Sequence, residues 1–483
     1  MLLTSIFFII CVSLIILFFV DAKNYFFLRF FSLSASGLSL ILSSYLLTQF
    51  DSNVYYFQNI VTYDLGSTFF NLSYSFGVDG ISIFFFFLSS LLIFICILFI
   101  WNEINYKNYA LTLLLIELFL LIIFSVLDLF IFYIFFEAIL IPMYLMIGFW
   151  GSRERKIRAV YLFFFYTLGG SIMMLIGILY IYSITGTLNL EYLLTWSFSK
   201  TEQLFLWSAF FLSFASKIPM FPFHIWLPEA HVEAPTVGSV LLAGILLKLG
   251  VYGFLRFSLT LFPEASFFFS PLVYLLSLIG ILYASMTAIR QTDLKRIVAY
   301  SSIAHMNLVT LGIFSFNTLG IEGAVLQSIS HGFVSGGMFL LVGILYDRYH
   351  SRFLYYYGGL VHMMPIYAVF FLIFTLANIA LPGTSSFVGE FLLLTSIYKT
   401  NVITCVVSAL GVILCGGYSL WLYNRVIFGN LKIDYTVIFT DINFREFSVL
   451  IPLLFFIFVM GLYPSFFSSF LHLASSSLSF ISN

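Results

Sequence analysis

Apolar runs of about twenty residues recur fourteen times along this chain, each closed by a short polar or Gly/Pro stretch, and that recurrence decides what the chain can become. A run of this length crosses the ~30 Å hydrocarbon core of a bilayer as a helix, because only helices and closed barrels satisfy their backbone donors and acceptors away from water. With 62% hydrophobic and 8% charged residues over 483 positions, nothing is left over for a separate soluble domain or a nucleic-acid-binding face. The expected fold is an all-α polytopic membrane protein.

The expected spans are 2–20, 26–47, 78–101, 109–127, 129–149, 158–184, 203–224, 236–257, 271–290, 296–315, 321–346, 365–397, 401–427 and 446–470. MLLTSIFFIICVSLIILFFV lacks the basic flank and small-residue cleavage site of a signal peptide and reads as a retained first span. The polar stretch from Thr48 to Phe76, with Asp51 and Asp64, reads as an exposed loop. Cys11, Cys96, Cys405 and Cys415 sit singly in apolar runs and read as small buried hydrophobes.

Basic residues test this count independently, since they concentrate on the side from which a membrane chain is inserted. Of the 20 Lys and Arg, all but five fall in or beside loops that follow odd-numbered spans. Lys200, Arg256 and Lys399 lie on the other side, and Lys217 and Lys248 lie within spans. One missed span would scramble this alternation, so both termini are expected opposite the basic loops.

Ionisable residues inside spans are costly, about 3 kcal/mol for a lysine at the bilayer centre, and mark function by default. At ~1.5 Å per residue, Glu137 lies ~12 Å into span 5, and Glu117 lies at a similar depth in span 4. Lys217 stands in span 7 beside Pro219 and Pro222. Lys248 lies ~20 Å from the basic side in span 8, and His305 and His331 sit near mid-depth in spans 10 and 11. Glu390 occupies the second half of span 12. Burial disfavours the charged form of such groups and an opposite charge within about 4–6 Å restores it, so neighbours can switch one another's protonation. Histidine passes protons near neutrality, and chains of Glu, Lys and His are the parts of a proton relay.

Two spans are expected to be broken. Pro219 and Pro222 free the carbonyls of Ala215 and Ile218 beside Lys217, and Pro382 with Gly383 interrupts span 12 ahead of Glu390. Interruptions five spans apart indicate two five-helix repeats, spans 4–8 and 9–13, inverted because each holds an odd number of helices. The expected organisation is 1–108 (spans 1–3), 109–257 (first repeat), 258–427 (second repeat) and 428–483 (span 14). Span 8 reads as unbroken, with Ser239, Ala243 and Gly244 allowing close approach to Lys248.

PFHIWLPEAHVEAPTVGSVLLAGILLKLGVYG resembles the antiporter-like subunits of proton-pumping NADH:ubiquinone oxidoreductase, respiratory complex I. SYSFGVDGIS, FYIFFEAILIPMYLMIGFWG, RQTDLKRIVAYSSIAHMN, QSISHGFVSGGMFLLVG and LPGTSSFVGEF extend the resemblance over spans 3–13. Glu390 points to subunit 4, since lysine is expected there in subunits 2 and 5. The resemblance implies that Glu137 and Lys217 form an input charge pair, that Lys248 is the central relay residue, and that His305 and His331 lead on to Glu390. It implies an accessory acid at Glu117. It also implies that NADH, FMN, iron–sulfur clusters and ubiquinone belong to other subunits, with no cofactor or metal bound by this chain. The expected partners are the other membrane-arm subunits, including subunits 2 and 5, and membrane lipids.

The expected location is the mitochondrial inner membrane, in an organelle-encoded multi-pass chain with basic loops toward the matrix and termini toward the intermembrane space. Two other readings share these residues: a Na⁺(K⁺)/H⁺ antiporter subunit of the related multi-subunit type, and a scaffold whose buried charges serve assembly. His224, Glu229, His231 and Glu233 have ligand-like spacing but read as an interfacial loop. Asp293, Lys295 and Arg296 read as a solvated or subunit-contacting turn, and His350, His362 and His472 as facing water or headgroups.

Overall fold

The computed structural model describes residues 2–54, 56–67, 70–103, 105–432 and 440–481; for 64–67, 70–73, 480 and 481 the backbone alone is described. The chain starts with α1 (Leu2–Phe19) and α2 (Tyr25–Thr48), then an antiparallel hairpin of β1 (Gln58–Ser67) and β2 (Phe70–Val78). There follow α3 (Ser82–Phe99), α4 (Tyr106–Ser125), α5 (Leu129–Trp150), α6 (Lys156–Thr185), the short α7 (Leu190–Leu193), α8 (Lys200–Lys217) and α9 (Trp226–Glu233). Next come α10 (Thr236–Leu261), α11 (Pro263–Arg290), α12 (Leu294–Ile313), α13 (Thr318–Tyr349), α14 (Pro365–Asn378) and α15 (Ser385–Thr400). The chain closes with α16 (Val402–Ile427), α17 (Phe444–Leu462) and α18 (Pro464–Ile481).

Among the described residues, eleven helices are long and apolar enough to cross a membrane. Expected spans 7, 10 and 12 hold helix too, span 7 as α8 up to Lys217, span 10 as α12, and span 12 as α14 with α15. Their polar residues or breaks keep them out of that set. The two breaks stand where proline removes backbone donors. Between α8 and α9 the chain leaves the helix from Ile218 to Ile225, with Pro219 at φ +27°. Between α14 and α15 it turns through Ala380 and Gly383, at φ +64° and +96°.

Helix ends follow capping chemistry. The Asp128 carboxylate accepts from the amides of Phe130 and Ile131 at 2.9 and 3.0 Å, starting α5 directly after α4. Reciprocal Ser199–Glu202 and Asn443–Glu446 capping boxes start α8 and α17.

Burial sorts the helices into two shells. The membrane-length windows of α10 and α13 are 100% buried within the chain, whereas those of α1, α6 and α16 are about one-third buried. Phe149, Phe165 and Ile403 are 71%, 66% and 75% exposed. α13 packs against α10, α12, α15, α17 and α18, and α10 packs against α3 and α8.

Five expectations need correction. Of the cysteines read as buried, only Cys96 and Cys415 are; Cys11 is exposed and Cys405 half-buried, because they lie on the outer helices α1 and α16. The stretch read as a loop holds the β-hairpin, whose strands pair Val61 with Phe76 and Thr62 with Ser75; ladder bonding, not length of apolar run, orders its polar residues. The side chain of Asp64 lies outside the described residues. Span 14 stops at Leu462, and the Ser-rich segment after Pro464 forms α18, because proline begins a new helix where it cannot continue the old one. Span 8 is continuous but not regular: π-helical turns at Leu242–Leu246 and Phe254–Ser258 bracket the α-helical segment Leu247–Gly253. Lastly, Asp293 and Lys295 are buried, because Arg352 draws the carboxylate inward at 2.9 Å and Lys295 Nζ donates to the Ala234 carbonyl at 2.7 Å.

Candidate functional site

α10 carries Lys248 between its two π-helical turns, at a position with no solvent exposure. A π turn widens the helix and frees backbone carbonyls, and such turns recur at functional sites. Here Lys248 Nζ donates to the Ala243 carbonyl within the first π turn and lies 2.8 Å from His331 Nδ1 on α13. Gly244 and Gly332 make that approach possible. A Cβ at position 332 would stand 3.0 Å from the Gly244 carbonyl oxygen and 2.9 Å from a Leu88 methyl. Gly332→Ala is therefore expected to push α10 and α13 apart and destabilise the chain by about 1–3 kcal/mol, the usual cost of overpacking. A thermal-shift comparison of the detergent-solubilised assembly checks this; an unchanged midpoint would show that the contact is loose.

His331 faces a second histidine. Its ring centroid lies 5.9 Å from that of His305 on α12, and its Nε2 has no protein hydrogen-bond partner. His305 Nδ1 sits 2.9 Å from Glu390 Oε1 on α15, and the same oxygen accepts from Gln327 Nε2 at 3.1 Å. The other imidazole nitrogen of His305 lies 3.6 Å from Cys415 Sγ, which accepts from the Tyr418 hydroxyl at 3.0 Å. Lys248, His331, His305 and Glu390 thus form one buried file through α10, α13, α12 and α15. The break before α15 places Glu390 near its start, where a cavity lined by Ile281, Ala304, His305, Leu308, Gly411 and Cys415 adjoins it.

The first half of the chain supplies a looser set. Lys217, at the last turn of α8, directs Nζ to the Phe136 carbonyl at 3.4 Å and over the Phe136 ring, 4.4 Å from its centroid. Phe136 precedes Glu137, whose two carboxyl oxygens lack a protein hydrogen-bond partner. Lys217 and Glu137 are therefore neighbours, yet among the described ion pairs they do not join directly. Glu117 lies apart, on α4, and accepts from Ser39 Oγ of α2 at 2.5 Å.

Other buried charges stay outside this file. Arg352 joins Glu233 at 3.0 Å and Asp293 at 2.9 Å, with a further bond to the Val232 carbonyl. Arg256 pairs with Asp79 at 2.6 Å, and Arg348 with Glu446 at 2.8 Å. The residues with ligand-like spacing are spent separately: Glu229 on Arg296 at 2.7 Å, Glu233 on Arg352, His231 stacked on Phe339, and His224 against Phe221 and Tyr283. His472 of α18, expected to face water, is 68% exposed in its side chain but also reaches Glu322 at 2.8 Å. Sequence reasoning missed Glu322, Gln327 and Cys415. Glu322 and Gln327 were visible as polar residues within span 11, whereas nothing in the sequence distinguishes Cys415 from the other cysteines.

A bundle with two broken spans around a buried file of Lys, His and Glu defines a class of ion-translocating membrane subunit. Residues 126–415 match the NADH:quinone oxidoreductase/Mrp antiporter transmembrane family. The chain is 54% identical over 452 residues to the NADH-ubiquinone oxidoreductase chain 4 of Chondrus crispus, covering 93% of this chain and 92% of that one. It is 52% identical over 471 residues to the protein of the same name from Arabidopsis thaliana, covering 96% and 94%. It therefore belongs to the NADH:quinone oxidoreductase/Mrp antiporter transmembrane family, and within it to the NADH-ubiquinone oxidoreductase chain 4 group. Its fold is similar to that of a chain in respiratory complex I from Thermus thermophilus, with a TM-score of 0.91, 30% identity and full coverage of both chains. A chain of the Mrp complex from Dietzia shares the fold at a TM-score of 0.87 and 19% identity.

Proposed function

We propose that this chain translocates protons in the membrane arm of respiratory NADH:ubiquinone oxidoreductase, driven by electron transfer in other subunits. The observation that carries the reading is the buried file from Lys248 through His331 and His305 to Glu390, with contacts of 2.8 and 2.9 Å at its two ends. Hydrogen bonds of this length transfer protons directly, and a water between the two histidine rings, 5.9 Å apart, completes the middle step. Glu137 and Lys217 load the file: a proton arriving at the Glu137 carboxyl weakens its hold on Lys217, and Lys217 then releases its proton toward Lys248. Glu390 is the terminal carrier.

In this reading the chain crosses the mitochondrial inner membrane fourteen times. Residues 109–257 and 258–427 form inverted repeats, flanked by 1–108 and 428–483. Basic loops face the matrix and both termini face the intermembrane space, an arrangement supported by the one-sided distribution of Lys and Arg. The chain holds no redox centre; NADH, FMN, iron–sulfur clusters and ubiquinone bind elsewhere in the complex, and subunits 2 and 5 are among its partners.

The test is proton uptake by vesicles containing the intact complex, followed with a pH-sensitive dye during NADH oxidation. In sodium- and potassium-free buffer, uptake is expected to persist at its full ratio to electrons transferred. Uptake that required sodium or potassium, or ran without NADH when either was supplied, would transfer the assignment to cation/proton antiport.

A further inference from the structure

The buried face of α2 is made mostly of hydroxyls. Ser32, Ser36, Ser39 and Ser43, spaced at i, i+4, i+7 and i+11, are all 0–1% exposed, while Ser34 and Ser44 on other faces point outward. That spacing places the four side chains in one row, with neighbours ~5–6 Å apart. Three of them bond across helices: Ser32 Oγ with the Tyr106 hydroxyl at 2.5 Å, Ser39 Oγ with Glu117 Oε1 at 2.5 Å, and Ser43 Oγ with Ser90 Oγ of α3 at 2.7 Å. The row begins at the basic end of α2, where the half-buried Arg29 guanidinium lies 5.8–5.9 Å from the ring centroids of Tyr25, Trp101 and Tyr106.

Serines in a membrane helix can satisfy themselves on carbonyls three or four residues back, as all four do here on Arg29, Ser32, Ser36 and Leu40, and could then serve only as a small-residue seam. A seam has no use for Glu117. This carboxyl is fully buried, one oxygen is held by Ser39, and the other, Oε2, has no protein partner. A buried carboxyl oxygen without a partner calls for a water. At the far end of the row, α3 presents Ser90 to α2 and, on another face, Leu88 and Leu92 to Gly332 and Gly244 beside the Lys248–His331 contact.

We propose that Glu117 Oε2 binds an ordered water and that the hydroxyl row of α2 is a second proton entrance from the basic face, loading Glu117 independently of Glu137. The proton enters past Arg29 and Tyr106, hops Ser32 to Ser36 to Ser39 through bridging waters as each hydroxyl accepts one proton and gives up another, and rests on Glu117. The branch rests on the proton-translocating function proposed above, and its own residues lie outside the Lys248–Glu390 file.

The test uses the intact complex in vesicles. Hydrogen–deuterium exchange of the Glu117 carboxyl is followed by its infrared C=O band, assigned as the band lost in Glu117→Gln, beside NADH-driven proton uptake. Ser36→Ala combined with Ser39→Ala is expected to slow that exchange and lower proton uptake several-fold, with NADH oxidation by a soluble electron acceptor unchanged. Ser39→Thr, which keeps the hydroxyl, is expected to behave as the parent. Equal losses in the Thr and Ala variants would assign the serines to packing and overturn the proposal. So would unchanged exchange in the double variant, or a map of ordered water with none at Glu117 Oε2. Lys248→Met separates the two readings: if it loses pumping while the serine variants and Glu117→Gln retain it, the entrance fails and the function stands.

Discussion

Lys248→Met is expected to leave the complex assembled and to abolish its proton pumping. Methionine fills nearly the volume of the lysine stem, so the fully buried α10–α13 contact keeps its packing and no cavity opens. What disappears is the amine 2.8 Å from His331 Nδ1, the link that in the proposed path joins the first half of the chain to the second. A positioned proton-transfer group contributes roughly 10²-fold or more, so uptake should drop below detection while electron transfer to a soluble acceptor continues. The measurement is dye quenching in vesicles at matched complex content. Assembled complex pumping at its normal ratio would remove Lys248 from the path and favour the scaffold reading.

Arg352→Leu is expected to act on the fold instead. The Arg352 side chain is 2% exposed and bridges Glu233, at the end of α9, to Asp293, which caps α12, so one guanidinium ties these two helices together. Its loss strands two buried carboxylates, and breaking a buried pair from one side costs about 3–5 kcal/mol. Arg352→Lys should rescue only part, since an ammonium cannot span both carboxylates with the fixed fork of a guanidinium. Native-gel quantification of assembled complex would show the order parent, Lys, Leu. Normal assembly of the Leu variant would mean that water reaches the triad.

Much of this was legible in the sequence because a bilayer makes uniform demands. Span length, the one-sided basic loops and the prolines at 219, 222 and 382 each follow from a rule that acts on neighbouring residues. Contacts between distant residues do not. The sequence shows that Lys248, His331, His305 and Glu390 are costly in lipid, but their order in space depends on how α10, α12, α13 and α15 pack. Arg352 is the sharper case: Asp293 and Lys295 look solvated until a residue some sixty positions away is folded against them. The hairpin was hidden because its strands carry polar residues that read as loop. The π turns were hidden because Leu242–Leu246 has no Pro to mark it.

The two-shell arrangement has a consequence for how such a chain is made. α10 and α13 hold no lipid-facing surface, and they carry the Lys and His that lipid would reject. Each is apolar enough to enter the bilayer, but until its neighbours arrive it holds ionisable residues against lipid at a cost. α10 emerges after α3 and α8, which receive one part of it, and its other neighbour α13 is itself synthesised before α15, α17 and α18. Its burial is completed only when the last third of the chain closes over it. A helix at the centre of the bundle thus depends on the end of the chain, and a truncation that removes α17 and α18 would leave one flank of α13 uncovered.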